Sequence, residues 1–215
     1  HMGAAGSGNE AQLRALGEVE VVYTGSLEPG DPGVATMDGY GTGQLCAQCH
    51  HARRDSDNVQ NQIDVGYGHF GPHGSPQMDM FIGNGSYEID GFTYERDHAH
   101  QSIGNACVKC HMVRETELHG ETQEHAFHNF EPNVGNCLPC HANLADFDVN
   151  GFQTEIMTKM DELAVALGYT DTADYDANFD SQADGVEAWQ REAAYALQFV
   201  INDGRHGAHT PDYAE

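Results

Sequence analysis

Positive charge is scarce in this chain: Lys and Arg number 9 against 34 Asp and Glu, a formal net charge of −25 over 215 residues. A surface of that sign repels nucleic acid and anionic membrane. It suits cations, basic partners or a saline medium, and it also serves plain solubility. Long apolar runs are missing as well; no stretch of about 18 apolar residues occurs, so no segment is expected to span a membrane. Hydrophobic residues make up only 39% and mean hydropathy is −0.56, which is thin material for a self-sufficient core. There is no phosphate-cradling Gly-rich loop and no nucleophile elbow. No signal-peptide pattern is visible, and the opening HMGAAGSGNE reads as a mature N-terminus after cleavage or as a cloning remnant.

Cysteine outside one pattern is also lacking. All six cysteines fall in CAQCH (Cys46, Cys49, His50), CVKCH (Cys107, Cys110, His111) and CLPCH (Cys137, Cys140, His141). Each is C-x-x-C-H, the attachment motif of c-type haem. Two thiols at this spacing reach the two vinyl groups of one porphyrin, and the following His ligates the iron from the proximal side. A zinc site made of four thiolates uses two C-x-x-C pairs and would leave the third over. A redox C-x-x-C wants a βαβ context, which is not evident. Neither alternative explains a His after every second Cys. Three haem c groups are therefore expected, and thiol catalysis is excluded. Thioether attachment is made outside the bacterial or archaeal cytoplasm, so the protein is expected to be exported, extracellular or periplasmic. Porphyrin surface would also supplement the scant apolar residues, with Gly-rich loops wrapped around it. The motifs are unevenly spaced and form no repeat of fixed period.

Each proximal His leaves a sixth iron position, for which His and Met are the candidates. His51 directly follows a proximal His and is expected at the surface. Apart from the terminal His1, the remaining histidines fall in four segments: His69 and His73 in GHFGPHG; His98 and His100 ahead of the second motif; His119, His125 and His128 between the second and third; His206 and His209 near the C-terminus. Met157 and Met160 belong to a helical stripe and Met112 follows a proximal His, whereas Met78 and Met80 stay open as ligands. Bis-His ligation would hold the potentials low relative to His/Met.

With these residues in view, the chain resembles multihaem c-type cytochromes of the electron-transfer kind. The similar segments are LCAQCHHARR, HFGPHGSPQMDMFIGNGSYEIDG, ACVKCHM, EHAFHNF and AAYALQFVINDGRHGAHTPDY, from Leu45 to the C-terminus. The resemblance implies distal ligands at His73, His100, His125 and His209, with His69, His98, His128 and His206 as reserves. Three haems thus face four candidate segments. Some extracellular multihaem cytochromes polymerise into filaments in which a His of one subunit ligates a haem of the next, and a surplus ligand segment suits that arrangement.

The fold is expected to be a mostly irregular and α-helical multihaem cytochrome c, with a loop-rich haem-wrapped region over residues 1–150 and a C-terminal helical hairpin over 151–215. Ile156, Met160, Leu163 and Leu167 recur on one helical face, predicting a helix from Phe152 to Leu167. Val186, Trp189, Ala193, Leu197 and Val200 predict a second from Val186 to Asp203, ended by Gly204. Between them, DANFDSQADGVE puts Asp176, Asn178, Asp180, the carbonyl of Gln182, Asp184 and Glu187 at the ligand spacing of an EF-hand loop, so a Ca²⁺ site is an expectation. Ser181 stands where that loop normally has Gly. DFDVNG at 146–151 begins in the same way, but Met157 occupies its closing position.

The expected function is electron transfer through three covalently bound, bis-His haems, with other redox proteins or copies of the same chain as partners. The protein would be a soluble carrier or a filament subunit, and its residues would transform no substrate. The rival class is a small multihaem reductase with one open iron, where a surplus His and Arg205 act as acid and charge clamp.

Overall fold

The computed structural model describes residues 19–20, 36–52, 54, 56–66, 71–112, 114–115, 125–126, 130–181, 183 and 185–215. Helices dominate these residues. Four short ones come first: α1 (Gln44–Ala47), α2 (Ser56–Asp64), α3 (Gln77–Ile82) and α4 (Ala106–His111). They are joined by irregular chain and single 3₁₀ turns at Gly41–Gly43, Ala99–Ser102 and Val134–Asn136. The strands among the described residues are two-residue antiparallel ladders: β1 (Val19–Glu20) with β2 (Thr36–Met37), and β3 (Arg114–Glu115) with β4 (His125–Ala126). The C-terminal part is more regular, with α5 (Phe152–Ala166), α6 (Thr172–Asn178), α7 (Ala188–Asp203) and α8 (Pro211–Ala214). The mostly α-helical expectation holds.

The two long helices start and stop where their sequences predict, within a residue or two. α5 runs through fifteen residues free of Gly and Pro. Its first turn is held by Asp148, whose Oδ1 accepts from the backbone N–H of Gln153 at 2.7 Å and of Thr154 at 3.3 Å. The segment DFDVNG is therefore a helix cap here. α7 begins with a Glu187–Gln190 capping box and ends on Gly204 at φ +72°, the left-handed position that glycine adopts at least cost.

Burial is divided among small clusters, as the low apolar content requires. Ile156, Met160, Ala164 and Leu167 of the α5 segment pack on Tyr175 of α6 and on Ala194 and Leu197 of α7. α7 also sends Phe199 into a cluster with Ala52, Met80 and Tyr213, and Tyr195 into one with Val59 and Ile63. Each fully buried aromatic of this kind contributes roughly 1.5–3 kcal/mol. α7 thus packs on several sides, and its buried surface is wider than the single stripe expected. Trp189 departs from that stripe: it is 48% exposed, because the buried residues of α7 begin only at Ala194. Its indole N–H donates to Glu187 Oε2 at 3.0 Å.

The C-terminal segment is bonded back to α3 and the chain after it. Thr210 Oγ1 donates to the Phe81 carbonyl at 2.8 Å, and the Tyr213 hydroxyl donates to Glu88 at 2.7 Å while accepting from the Ser86 N–H at 3.1 Å. In the N-terminal part, the turn before α1 lies against the start of α4. A Cβ on Gly43 would sit 2.8 Å from the Asn105 carbonyl oxygen and 2.9 Å from Ala106 Cβ, so this approach requires glycine. Among the described residues, no helix is long and apolar enough to cross a membrane.

Candidate functional site

The three C-x-x-C-H motifs share one local conformation. The His50 N–H donates to the Cys46 carbonyl at 2.9 Å and the His141 N–H to the Cys137 carbonyl at 2.8 Å, while the second motif lies within α4. One helical turn puts positions i, i+3 and i+4 on a common side, so two sulfurs and an imidazole share one face in each motif.

The motifs are also neighbours. Asn105, in the left-handed region at φ 64°, accepts from the Thr42 N–H and hydroxyl, both at 3.2 Å, which ties the approach to the first motif to the second. The Cys107 thiol meets the Cys46 sulfur. That contact draws Cys46 down to about 6, with His50 acting in the same direction against burial, and it pushes Cys107 up. The second motif reaches the third through Asn136 Nδ2, which lies 3.5 Å from the Lys109 carbonyl oxygen. Burial, with Cys137 nearby, raises the Cys110 thiol. Among the described residues no three His, Cys, Asp or Glu side chains gather as they would around a bare metal ion.

Two pairs of imidazoles face each other. His111 and His209 have ring centroids 6.2 Å apart with 29° between planes, and His100 and His141 have centroids 6.2 Å apart at 73°. A metal bonded on opposite sides to two imidazole nitrogens at about 2.0–2.1 Å sets the ring centroids about 6 Å apart. At this spacing each pair is compatible both with an ordinary edge or offset ring contact and with two imidazoles on opposite sides of one metal.

Three of these rings, and His50 of the first motif, have an Nδ1 with a defined partner. His111 Nδ1 lies 2.8 Å from the Phe130 carbonyl, His100 Nδ1 3.1 Å from the Ala208 carbonyl, His209 Nδ1 2.5 Å from Asp203 Oδ1, and His50 Nδ1 2.9 Å from Gln77 Oε1. With Nδ1 protonated and donating, Nε2 carries the lone pair that binds a metal. Burial holds His100 and His111 below the usual imidazole range, favouring the neutral form that ligates. Backbone in the left-handed region clusters here too, at Asn105, Ala106, Phe130, Asn143 and His206. Such conformations cost energy and persist where surrounding structure imposes them. Phe130 and Leu138, beside the second and within the third motif, are 57% and 44% exposed and offer apolar surface that a porphyrin would cover.

The other expected ligands fall out as follows. His98 stacks edge-on against His100 at 4.5 Å, and its Nδ1 accepts from the His100 N–H at 3.3 Å. His206 is half-buried in the terminal arm, and His73 is half-buried in the segment leading to α3. His69, His119 and His128 lie outside the described residues, and His125 is described only as backbone of β4, opposite Glu115. Met78 and Met80 are 1% and 0% exposed and fill separate apolar clusters. His51 is half-buried rather than at the surface.

Only part of the expected calcium loop lies among the described residues, and its first three positions are helical. Asp176 and Asn178 belong to α6, which continues through the first three positions of that loop. Asp176 accepts from Gln198 Nε2 at 3.1 Å, Asn178 Nδ2 donates back to Asp174, and Glu187 caps α7. Within α6, Asp176 and Asn178, two positions apart, do not face each other. Asp180 is exposed, and Gln182 and Asp184 lie outside the described residues.

Sequence reasoning missed Gln77, Asp203 and the Phe130 carbonyl as partners of the imidazoles. Asp203 alone carried a signal, since an acidic residue in the last turn of a helix opposes the macrodipole. Compared with known proteins, the chain matches no family model, no curated protein and no solved structure.

Proposed function

We propose that this chain is an exported trihaem c-type cytochrome that transfers electrons through three covalently bound haems. The observation that carries the reading is the pair of facing imidazoles, His111 with His209 and His100 with His141, each 6.2 Å apart and each pairing a motif histidine with one from a predicted ligand segment. Cys46 and Cys49, Cys107 and Cys110, and Cys137 and Cys140 would anchor the three groups, with His50, His111 and His141 as proximal ligands. His209 would close the second iron and His100 the third. The haems supply a one-electron ferric/ferrous couple.

The chain's own part is to hold and shield. The Nδ1 bonds fix ring orientation, so the ligands need not rearrange when charge changes. The loops and the helical hairpin would wrap the porphyrins and supply the apolar enclosure that the sequence alone does not. The second motif touches both the first and the third, which supports conduction in chain order.

For the first motif the candidate ligands are His73 and His69, and His125 belongs to the remaining segment. With two segments already facing motif histidines, two are left for one iron. One distal His per haem balances both in a soluble carrier and in a filament where a His of one copy serves a haem of the next; the surplus segment suits the filament version and leaves the soluble carrier as the other. Negative-stain images showing ordered fibres with haem absorbance would support the filament, and a sharp monomer at all concentrations would count against it.

The main test is expression in a host that matures c-type cytochromes. Intact mass and the pyridine haemochrome spectrum should report three haems per chain, and electron paramagnetic resonance should show low-spin ferric iron. Free thiols, or bound zinc without haem, would overturn the reading.

A further inference from the structure

Among the described residues, four imidazoles have an Nδ1 that meets an acceptor oxygen, and they are not treated alike. Three meet neutral oxygens: Phe130 carbonyl on His111, Ala208 carbonyl on His100, Gln77 amide on His50. His209 alone meets a carboxylate, Asp203 Oδ1 at 2.5 Å. Asp203 is 2% exposed, closes a helix at its C-terminal end, and leaves its Oδ2 buried without a hydrogen-bond partner. A buried acid against the helix dipole and half-satisfied is costly for the fold. Folding alone gains little from such a group; an orienting and charging role for the imidazole accounts for it.

We infer that Asp203 tunes the haem held by His111 and His209, making it the most negative in potential of the three. This rests on the proposed trihaem reading. A carboxylate on Nδ1–H makes the imidazole a stronger donor. A buried negative charge beside the ring also favours the more positively charged ferric state over the ferrous. The two effects act in the same direction. Arg205 lies near His111 and opposes them, but it is exposed and screened by solvent, whereas Asp203 is not. Because the second motif sits between the other two, its haem would be the last to accept an electron and would act as a step that electrons cross without resting there.

The test is Asp203→Asn in the haem-loaded protein, followed by spectroelectrochemical titration and electron paramagnetic resonance. Asparagine keeps an acceptor for Nδ1–H and removes the charge. One of the three couples, the lowest in the wild type, should move positive by at least tenfold in its reduction equilibrium, about 59 mV for one electron. One of three low-spin signals should shift, and the other two should stay. Asp203→Ser, which removes the charge and leaves room for a water, should move the same couple and serves if the asparagine variant does not fold. Asp79→Asn, at a buried carboxyl that bonds Ala52 rather than an imidazole, should move none. Three haems with all potentials unchanged in both Asp203 variants would overturn this inference and leave the trihaem reading standing. Absence of haem in the wild type would instead overturn the reading itself.

Discussion

Gln77 Oε1 lies 2.9 Å from His50 Nδ1, while the Nε2 of the same side chain donates to the Asn202 carbonyl at 2.9 Å. One amide thus links His50 of the first motif to the last turn of α7, next to Asp203 and a few residues before His209. Replacing Gln77 with Leu removes both bonds at similar volume. The expected loss is about 1–3 kcal/mol of stability for the two bonds together, with a positive shift of the couple assigned to the first haem because its imidazole loses an acceptor. Thermal unfolding and a redox titration of the same sample check both parts.

His98 and His100 compete for one role, and their surroundings differ. His100 faces His141 across 6.2 Å with its Nδ1 on a carbonyl, whereas His98 packs on the edge of His100 and accepts through its own Nδ1. His100→Ala should therefore leave one iron of three open, giving a high-spin fraction near one third and CO binding by the reduced protein. His98→Ala should keep all three irons low-spin and CO-silent. CO difference spectra of the two variants decide the matter, and the reverse outcome would reassign the ligand.

Some of this architecture was legible in the residues. The C-x-x-C-H spacing is local chemistry, and the α5 and α7 boundaries follow from apolar period and, for α7, from Gly204. Helix α6 was hidden because alternating acids in DANFDSQADGVE resemble a ligand loop. The signal against that was Asp171 with Asp174, a helix-start pattern in which the Asp171 side chain accepts from the Asp174 N–H. Trp189 was misplaced because a period gives a face but not where along the helix packing begins. Facing imidazoles such as His111 and His209 join distant parts of the chain, and nothing local fixes which ligand meets which motif. The Phe130 carbonyl, a backbone group set by a left-handed residue, has no sequence signature at all.

Gly43 sets how closely the first two motifs approach. A Cβ there would meet the Asn105 carbonyl oxygen at 2.8 Å, Ala106 Cβ at 2.9 Å and the Cys107 nitrogen at 3.2 Å; two of these are backbone atoms that cannot rotate away. Gly43→Ala should push α1 off α4 and cost about 1–3 kcal/mol. The same variant should slow electron equilibration between the first two haems while leaving their low-spin signatures intact. Gly39→Ala, where no atom lies within 4 Å of the added Cβ but φ is +85°, separates the two effects: it should reduce stability through backbone strain alone, with equilibration unchanged. Flash-reduction kinetics beside thermal melts check the pair.

Asp79 predicts a pH dependence of stability with a definite sign. Its side chain is 0% exposed; burial pushes its carboxyl well above the usual range, and the Ala52 N–H at 2.5 Å pulls weakly the other way. In the unfolded chain this group releases its proton near pH 4. Above that, the folded protein retains a proton that the unfolded chain has lost, so stability falls as pH rises toward the folded value. The contribution is fully present below the unfolded value and is lost as pH climbs through the folded one. The many surface carboxylates of this acidic chain add repulsion of the same trend, so the difference between wild type and Asp79→Asn is the informative quantity. Asparagine cannot ionise and still offers an oxygen to the Ala52 N–H. Melting temperatures measured from pH 4 to pH 8 should show the variant gaining on the wild type steadily across that range. A constant offset between the two curves would mean that Asp79 does not change protonation on folding.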